Sequence, residues 1–317
     1  MKLPFISKPD EIPINDYHGE KFKEFCSSST LKTFLTSPKK AKYWMDHPDE
    51  KPNTAALKFG SVYHDHLAAM TNGTDCNNWQ IFEPPVNEKT GKPYGNTSRA
   101  WDEAMIEQAV PDKELCLKDD MDLVDTMINE LLTGNPHLSK DINIFIKNGT
   151  AEESFFAEYQ GCKFKVRTDV RTRNKIIDWK TCADGLAEPG VNERQIIKYG
   201  YHISAAMYQF FDHLITGKWR NFYWVFQEKS PPFDFLIVSA AEWAFDIQPD
   251  GKDQIAIPKV GAFLFIKLME QYILCTEKNE YPGYSIFVRE DWLKHRIYVP
   301  KVPAWHEYQA SLKTFYN

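Results

Sequence analysis

The chain has 317 residues, of which 43% are hydrophobic and 26% are charged, and it carries a formal net charge of −6. This composition indicates a folded globular protein and excludes a disordered or fibrous chain, while the length permits one elaborated domain or two closely associated ones. The negative charge gives no general attraction to polyanions, so a nucleic-acid site would have to be a local basic lining.

The N-terminal stretch MKLPFISKPDEIP has no cationic segment followed by an apolar run, and no window approaches 18 consecutive apolar residues. We therefore expect neither export nor membrane insertion. The six cysteines are scattered without a CxxC pair, which disfavours a zinc or iron–sulfur site and fits reduced thiols. These features predict a cytoplasmic protein.

The first 150 residues are predicted to be mostly helical. SSSTLKTFLTSPKKAKYWMDH opens with Ser/Thr caps and has Leu31 and Phe34 at helical spacing before Pro38 interrupts the pattern. A second helix is predicted over NTAALKFGSVYHDHLAAM, where small residues permit close packing.

A long mobile loop is predicted at FEPPVNEKTGKPYGNTSRA, which is rich in Pro, Gly, Asn and Thr. Its Lys89, Lys92 and Arg99 could contact phosphates. The alternative is an ordinary solvated loop.

From about residue 150 the pattern changes to strands. AEESFFAEY, CKFKVRTDV and KIIDWKT are short runs separated by Gln160-Gly161 and Arg173-Asn174, and they predict three consecutive antiparallel strands.

The remaining pattern predicts a long helix, two strands and a further helix. They cover NERQIIKYGYHISAAMYQFFDHLIT, RNFYWVFQE, FDFLIVSA and VGAFLFIKLMEQYILCTEKN, and the tail from 285 is ambiguous. The order β-β-β-α-β-β-α predicts an α/β fold, a mixed central sheet flanked by helices.

The second hairpin raises a charge problem. A two-residue turn at Arg173-Asn174 would place Asp169 directly opposite Asp178, with Cβ atoms about 5 Å apart. At an effective dielectric near 20, two unit charges at that distance repel by roughly 3 kcal/mol. A hard divalent cation would compensate, because Mg²⁺ favours carboxylate oxygens and keeps waters that can become nucleophiles.

The residues around this pair carry further chemistry. Lys180 projects from the same strand face as Asp178, and Trp179 points to the other face, leaving its carbonyl as a possible ligand. Three basic residues of the preceding strand share the face of Asp169 if that strand is regular, and they would form a track for a phosphate backbone. They are Lys163, Lys165 and Arg167. The alternative is a solvated hairpin face with surface salt bridges worth at most about 1 kcal/mol each.

The segment RTDVRTRNKIIDWKT resembles the active-site signature of the PD-(D/E)XK nuclease superfamily, with Asp169 as the first acid and Asp178-Trp179-Lys180 as its (D/E)-x-K. The surrounding blocks resemble the phage and prophage double-strand DNA exonucleases related to exonuclease VIII, in the order typical of that family. These blocks are SSSTLKTFLTSPKKAKYW, LKFGSVYHDHL, AEESFF, IIKYGYHISAAMY, WVFQEKSPPF and YPGY, and they lie between about 27 and 285.

The resemblance implies one nuclease domain over residues 1–317 with a restriction-endonuclease-like core. A mainly helical N-terminal part, 1–150, would contribute His64, followed by a catalytic sheet core at 151–285 and a C-terminal extension at 286–317.

The resemblance also implies a function. The protein would degrade one strand of linear double-stranded DNA from its 5′ ends, using Mg²⁺ or Mn²⁺ as a substitute, and leave a 3′ overhang for a single-strand annealing protein. Relatives gain processivity from a closed ring of subunits, so a ring-shaped homo-oligomer is implied. The setting would be the cytoplasm of a bacterial host of a phage or prophage.

Matched residue by residue, the implied metal ligands are His64, Asp169, Asp178 and the Trp179 carbonyl. Glu153 would be an additional acid, and Lys180 would orient the water and stabilise charge in the transition state. Taken alone, a histidine such as His64 on a helix is usually a polar surface residue. His66 is excluded as a second ligand because residues two apart lie on different helix faces.

The predicted helix after the signature also resembles the family, with Tyr201 and Tyr208 as candidate DNA contacts and core packing as the alternative. The family usually has glutamine where this chain has Ser204. A contact to the DNA backbone or to the active-site water would then be shortened or missing.

Two other functions stay open on the sequence. One is an endonuclease of the same superfamily, of the restriction or repair type. The other is a catalytically weak DNA-binding recombination scaffold, which the Ser204 substitution would fit.

Overall fold

The computed structural model describes residues 3–9, 11–51, 54–240 and 257–283. Its strands are β1 (Phe5–Ile6), β2 (Trp79–Phe82), β3 (Val86–Asn87), β4 (Lys92–Pro93), β5 (Glu114–Leu117), β6 (Thr150–Tyr159), β7 (Cys162–Arg171), β8 (Lys175–Cys182), β9 (Asn221–Glu228) and β10 (Phe235–Ser239). Its α-helices are α1 (Ile14–His18), α2 (Ser28–Phe34), α3 (Pro38–Asp46), α4 (Ala55–Asn72), α5 (Arg99–Glu107), α6 (Lys118–Thr133), α7 (Leu138–Asn148), α8 (Asn192–Lys198), α9 (Tyr201–Thr216) and α10 (Ile257–Lys278).

A six-stranded mixed sheet forms the centre, in the order β1-β6-β7-β8-β9-β10. β8 and β9 run parallel, whereas the other neighbours are antiparallel. The parallel pair needs a crossover connection, which α8 and α9 supply. The predicted mixed α/β fold with flanking helices is therefore confirmed.

The β6–β7 hairpin turns where the sequence predicts. Tyr159 pairs with Cys162 across Gln160 and Gly161, whose φ angles of 48° and 75° are left-handed, as a type I′ turn requires. The ladder continues from there to Thr150 and Arg171.

The β7–β8 hairpin departs from the predicted pairing. Arg171 pairs with Ile176 and Val170 with Ile177, but the described ladder ends there. The prediction that Asp169 and Asp178 form the next cross-strand pair is therefore wrong. Because β7 stays paired with β6 while β8 stays paired with β9, the two central strands separate beyond Val170 and Ile177.

Helices cover both faces of the sheet because successive strand residues point to opposite sides. Ile177 and Trp179 pack with buried residues of α4, α6 and α7. On the other face, α2, α3, α9 and α10 pack against residues of β6 and β7, and Ile176 contacts the cluster that includes Ala205. Among the described helices, none combines the length and apolar character needed to cross a bilayer.

The predicted long helix over 192–216 is two helices, because the chain turns at Gly200 between α8 and α9. Gly200 has φ 64°, and a Cβ there would lie 2.8 Å from Cδ of Lys32. Both the left-handed backbone and the close approach of α2 therefore favour glycine.

Other elements refine the predicted boundaries. Pro38 interrupts the first predicted helix by starting α3. The predicted mobile loop contains the short β3–β4 hairpin and ends in α5, where exposed Arg99 donates to Glu103 at 2.7 Å.

The N-terminal segment joins the sheet. β1 pairs with β6, so the sheet draws on residues outside the predicted 151–285 core. Tyr17 and Phe22 pack around Phe156 of β6. The predicted C-terminal extension, 286–317, lies outside the described residues.

Candidate active site

The candidate site lies where β7 and β8 separate. Asp169 Oδ2 accepts a hydrogen bond from the Trp179 backbone N–H at 2.8 Å, and the Trp179 carbonyl accepts one from Lys180 Nζ at 3.1 Å. The carboxylate thus replaces a ladder bond that the separated strands no longer make.

Asp178 and Lys180 form an ion pair beside this contact. Lys180 Nζ lies 2.6 Å from Asp178 Oδ2, as their shared strand face predicts. Burial raises the pKa of Asp178, and repulsion from Asp169 adds to the rise although Lys180 opposes it. Burial acts in the same direction on Asp169, but His64, Lys180 and the Trp179 N–H outweigh it and lower that pKa. The two acids are therefore close enough to interact although they are not a ladder pair.

His64 reaches the site from α4. Its Nδ1 lies 3.4 Å from Asp169 Oδ2, and this carboxylate raises the pKa of His64 against the opposing effect of burial. Tyr63 positions the helix by donating to Gln227 Oε1 at 2.7 Å. Asn72 at the end of α4 exchanges two hydrogen bonds with the backbone of Ala151.

Glu152 is the acid of β6 that interacts with Asp169 and His64. Glu152 has φ 58°, a left-handed conformation in mid-strand, and Arg167 Nη1 lies 3.6 Å from its Oε2. Burial raises its pKa to about 7, and Asp169 adds to the rise. A strained non-glycine residue of this kind is often found at functional sites.

Glu153 lies elsewhere, contrary to its sequence-based assignment. Its Oε2 accepts from Arg171 Nη1 at 3.2 Å, and Arg171 also donates to Asp212 of α9. The pattern AEESFF could not distinguish the two glutamates. The predicted turn at Gln160-Gly161 could have done so, because continuing that register places Glu152 opposite Asp169.

The predicted basic track along β7 is wrong, because the N-terminal segment covers it. Lys165 Nζ donates to the carbonyls of Tyr17 and Phe22, at 2.5 and 3.0 Å. Arg167 donates to Ser154 Oγ and to the Ile12 carbonyl, and Lys163 pairs with Glu24. The buried lysine and arginine are thus occupied by protein groups.

One face of α9 lies over the acidic pair. Lys180 Nζ is 5.0 Å from the Tyr201 ring centroid. Burial raises the pKa of Tyr208, and Tyr17, Asp178 and Asp169 add to the rise. Ser204 lies on the same helix face by its three- and four-residue spacing from these tyrosines, and it is buried.

The donors at the site fit a hard cation in chemistry. Two interacting carboxylates, a backbone carbonyl and an imidazole lie together, although within the described residues no group of three or more His, Cys, Asp or Glu side chains is placed to hold a metal ion. Mg²⁺ usually binds through one or two carboxylates together with waters and substrate phosphates, so three side-chain ligands are not required. The adjacent ammonium group could neutralise an anionic substrate.

The comparisons with known proteins identify the family and a structure of similar fold. Residues 27–251 match the family model described as "PDDEXK-like domain of unknown function (DUF3799)". This match covers more than half of the chain, so the protein belongs to that family. PD-(D/E)XK nucleases typically depend on divalent metal ions, and the family assignment supports a nuclease.

A solved structure shares the fold. It is a protein from Eubacterium rectale described as a "Putative exonuclease", with a TM-score of 0.54 and 15% sequence identity. The alignment covers 94% of this chain and 98% of that one. A search among curated proteins finds no match.

Proposed function

We propose that the protein is a Mg²⁺-dependent 5′ to 3′ exodeoxyribonuclease that acts on linear double-stranded DNA and leaves 3′ single-stranded overhangs. The observation that carries the proposal is the group of Asp169, Asp178 and Lys180, joined by His64, where β7 and β8 separate.

Asp169, Asp178, the Trp179 carbonyl and His64 would hold the metal ion. When bound, Mg²⁺ or Mn²⁺ would polarise the scissile phosphate and lower the pKa of a coordinated water. The other steps fall to side chains of the chain itself. Lys180 would neutralise negative charge that develops on the phosphate oxygens, since its ammonium group lies at the site, 5.0 Å from the centroid of the Tyr201 ring.

Glu152 would take the role first assigned to Glu153. It lies half-buried beside Asp169 and His64, and its pKa of about 7 suits a group that accepts or releases a proton near neutral pH. Tyr201, Ser204 and Tyr208 would face the DNA strand from α9.

Resemblance to other proteins supports the exonuclease activity, its strand polarity and its partners. The sequence blocks resemble exonucleases related to exonuclease VIII, and the fold neighbour's description names an exonuclease. By the same resemblance we propose a ring-shaped homo-oligomer, a single-strand annealing protein as partner, and a cytoplasmic setting in a bacterial host of a phage or prophage.

End-labelled linear duplexes incubated with Mg²⁺ test the proposal. Early release of the 5′ label as a mononucleotide is expected, and EDTA should stop it. Asp178→Asn should lower the rate on the order of 100-fold or more while the exposed control Asp184→Asn does not. Retention of the 5′ label, cutting of covalently closed circles, or equal rates for Asp178→Asn and wild type would each contradict the proposal.

A further inference from the structure

A groove of about 390 Å³ lies beside the active site, between α2, α3 and the start of α9. Its lining includes Lys32, Lys40, Trp44 and Tyr199, together with the hydroxyls of Thr33 and Thr36. Among the residues that the structure describes, no carboxylate contributes to this lining, although the chain has a net charge of −6. The groove therefore combines positive charge, hydroxyl donors and aromatic rings.

Lys32 of the groove and Lys180 of the candidate active site both lie near the ring of Tyr201. Lys180 Nζ lies 5.0 Å from the centroid of this ring, and Lys32 Nζ lies 5.8 Å from it. The two ammonium groups are thus no farther apart than the sum of these distances, so one DNA strand can contact both. The ring of Tyr199 stacks on Tyr201, with centroids 5.5 Å apart.

Within the described part of the chain, no acid pairs with the two lysines of the groove. Across the described residues, neither Lys32 nor Lys40 has a carboxylate within ion-pair distance. Burial and repulsion from Lys180 lower the pKa of Lys32 to about 8. An anionic ligand would offset that repulsion.

We propose that this groove binds a single strand of DNA that continues from the scissile phosphodiester. Phosphates would lie against Lys32 and Lys40, and bases would stack on Trp44 and Tyr199. The inference rests on the proposed nuclease function, because Lys180 marks where the strand enters. It adds a binding site outside the acidic pair, formed by the N-terminal helices.

The lining favours a single strand over a duplex. Bases inside a duplex already stack on their neighbours, whereas the bases of a single strand can stack on aromatic side chains, which contributes about 1–3 kcal/mol per base. Tyr199 is 49% exposed, so its ring is accessible to a base. The groove volume lies at the small end of the range of about 300–1,000 Å³ for ligand sites.

Binding of a fluorescein-labelled oligothymidylate of about twelve nucleotides, measured by anisotropy in EDTA, tests the inference without hydrolysis. Trp44→Ala should weaken binding about 10-fold with an unchanged salt dependence, whereas Trp44→Phe should retain binding. Lys40→Ala should reduce the slope of log K against log salt by about 0.7. Lys113→Ala is the matched control, because this exposed lysine precedes β5 on the opposite side of the sheet.

The outcomes separate the inference from the proposed function. Equal affinity and equal salt slopes for wild type, Trp44→Ala and Lys40→Ala would show that the groove does not bind the single strand, even if linear DNA is degraded. An equal loss for a fully paired duplex would overturn the single-strand assignment. If binding depends on Trp44 and Lys40 but the protein cuts no DNA, the groove is a single-strand binding site and the proposed nuclease activity is wrong.

Discussion

Two adjacent glutamates on β6 have different surroundings. The left-handed backbone of Glu152 brings it to Asp169 and His64, whereas Glu153 pairs with Arg171. A single strand position therefore separates a group at the site from a group that holds the sheet to α9.

The pair Glu152→Gln and Glu153→Gln tests this difference. Glu152→Gln should lower kcat on linear DNA about 10-fold or more, because it removes a charge beside the acidic pair, but it should not lower stability at pH 8. Glu153→Gln should keep most of kcat and lose about 1–2 kcal/mol of unfolding free energy, because it weakens a charged hydrogen bond. Initial rates at saturating Mg²⁺ and urea unfolding provide the two measurements. The reverse pattern would restore Glu153 as the active-site acid.

Lys165 gives stability a pH dependence. Burial and repulsion from Lys51 lower its pKa to about 7 in the folded protein, from an ordinary value near 10.5. Between pH 7 and pH 10.5 the Lys165 amine is protonated in the unfolded chain but largely neutral in the folded protein. Burying the charged amine therefore lowers the free energy of unfolding by its full amount below pH 7, and this loss decreases as the pH rises.

The stability difference between wild type and Lys165→Met should therefore shift in favour of wild type from pH 7 to pH 9. The shift should be at most about 1.4 kcal/mol per pH unit, and urea unfolding at each pH measures it. Lys163→Met, two residues earlier on the same strand, is the comparison. A difference that stays constant with pH would show that the buried amine keeps its proton.

At the scale of elements, a buried ion network holds α9 to the sheet. Asp212 of α9 accepts from Arg171 of β7 at 2.9 Å and also pairs with Arg220, which donates to the Thr172 carbonyl. Asp212 is 1% exposed. The helix that carries Tyr201, Ser204 and Tyr208 is thus tied to the hairpin that carries the acidic pair.

Asp212→Ala should lower the free energy of unfolding by about 3–5 kcal/mol, because it leaves the buried guanidinium group of Arg220 and the half-buried one of Arg171 without their shared acid. The matched control is Asp122→Ala, which breaks an exposed pair with Lys118 and should cost less than about 1 kcal/mol. Urea unfolding compares them. Equal losses would mean that solvent or other groups replace Asp212.

At the scale of the whole molecule, most basic groups near the site already bind protein atoms. Lys165, Arg167, Arg171 and Arg220 are all bound in this way. The chain has a net charge of −6, and the cationic groove beside α2 and α3 has a volume of about 390 Å³. Processive degradation would therefore need DNA to be enclosed rather than held by charge alone.

We accordingly expect a closed symmetric oligomer in solution. Light scattering should give several times the mass of one chain, unchanged in high salt, while DNA binding weakens as salt rises. A single-chain mass under conditions where many nucleotides are released per binding event would exclude enclosure by a ring.

The local sequence determined the strand and turn pattern, the mixed α/β class and the placement of Lys180 beside Asp178. These features follow from period-two alternation and short turns, which depend on neighbours in the chain. The likeness of residues 167–181 to the nuclease signature was local too, and the family match supports it.

Only the tertiary structure decided what surrounds those residues. It showed that β7 and β8 separate before the two aspartates pair, that Glu152 and not Glu153 turns to the site, and that residues 12–22 cover Lys165 and Arg167. It also brought α2 and α3 beside Tyr199. Each of these depends on contacts between segments far apart in the chain, and the periodicity of a single segment contains no information about which segment packs against it.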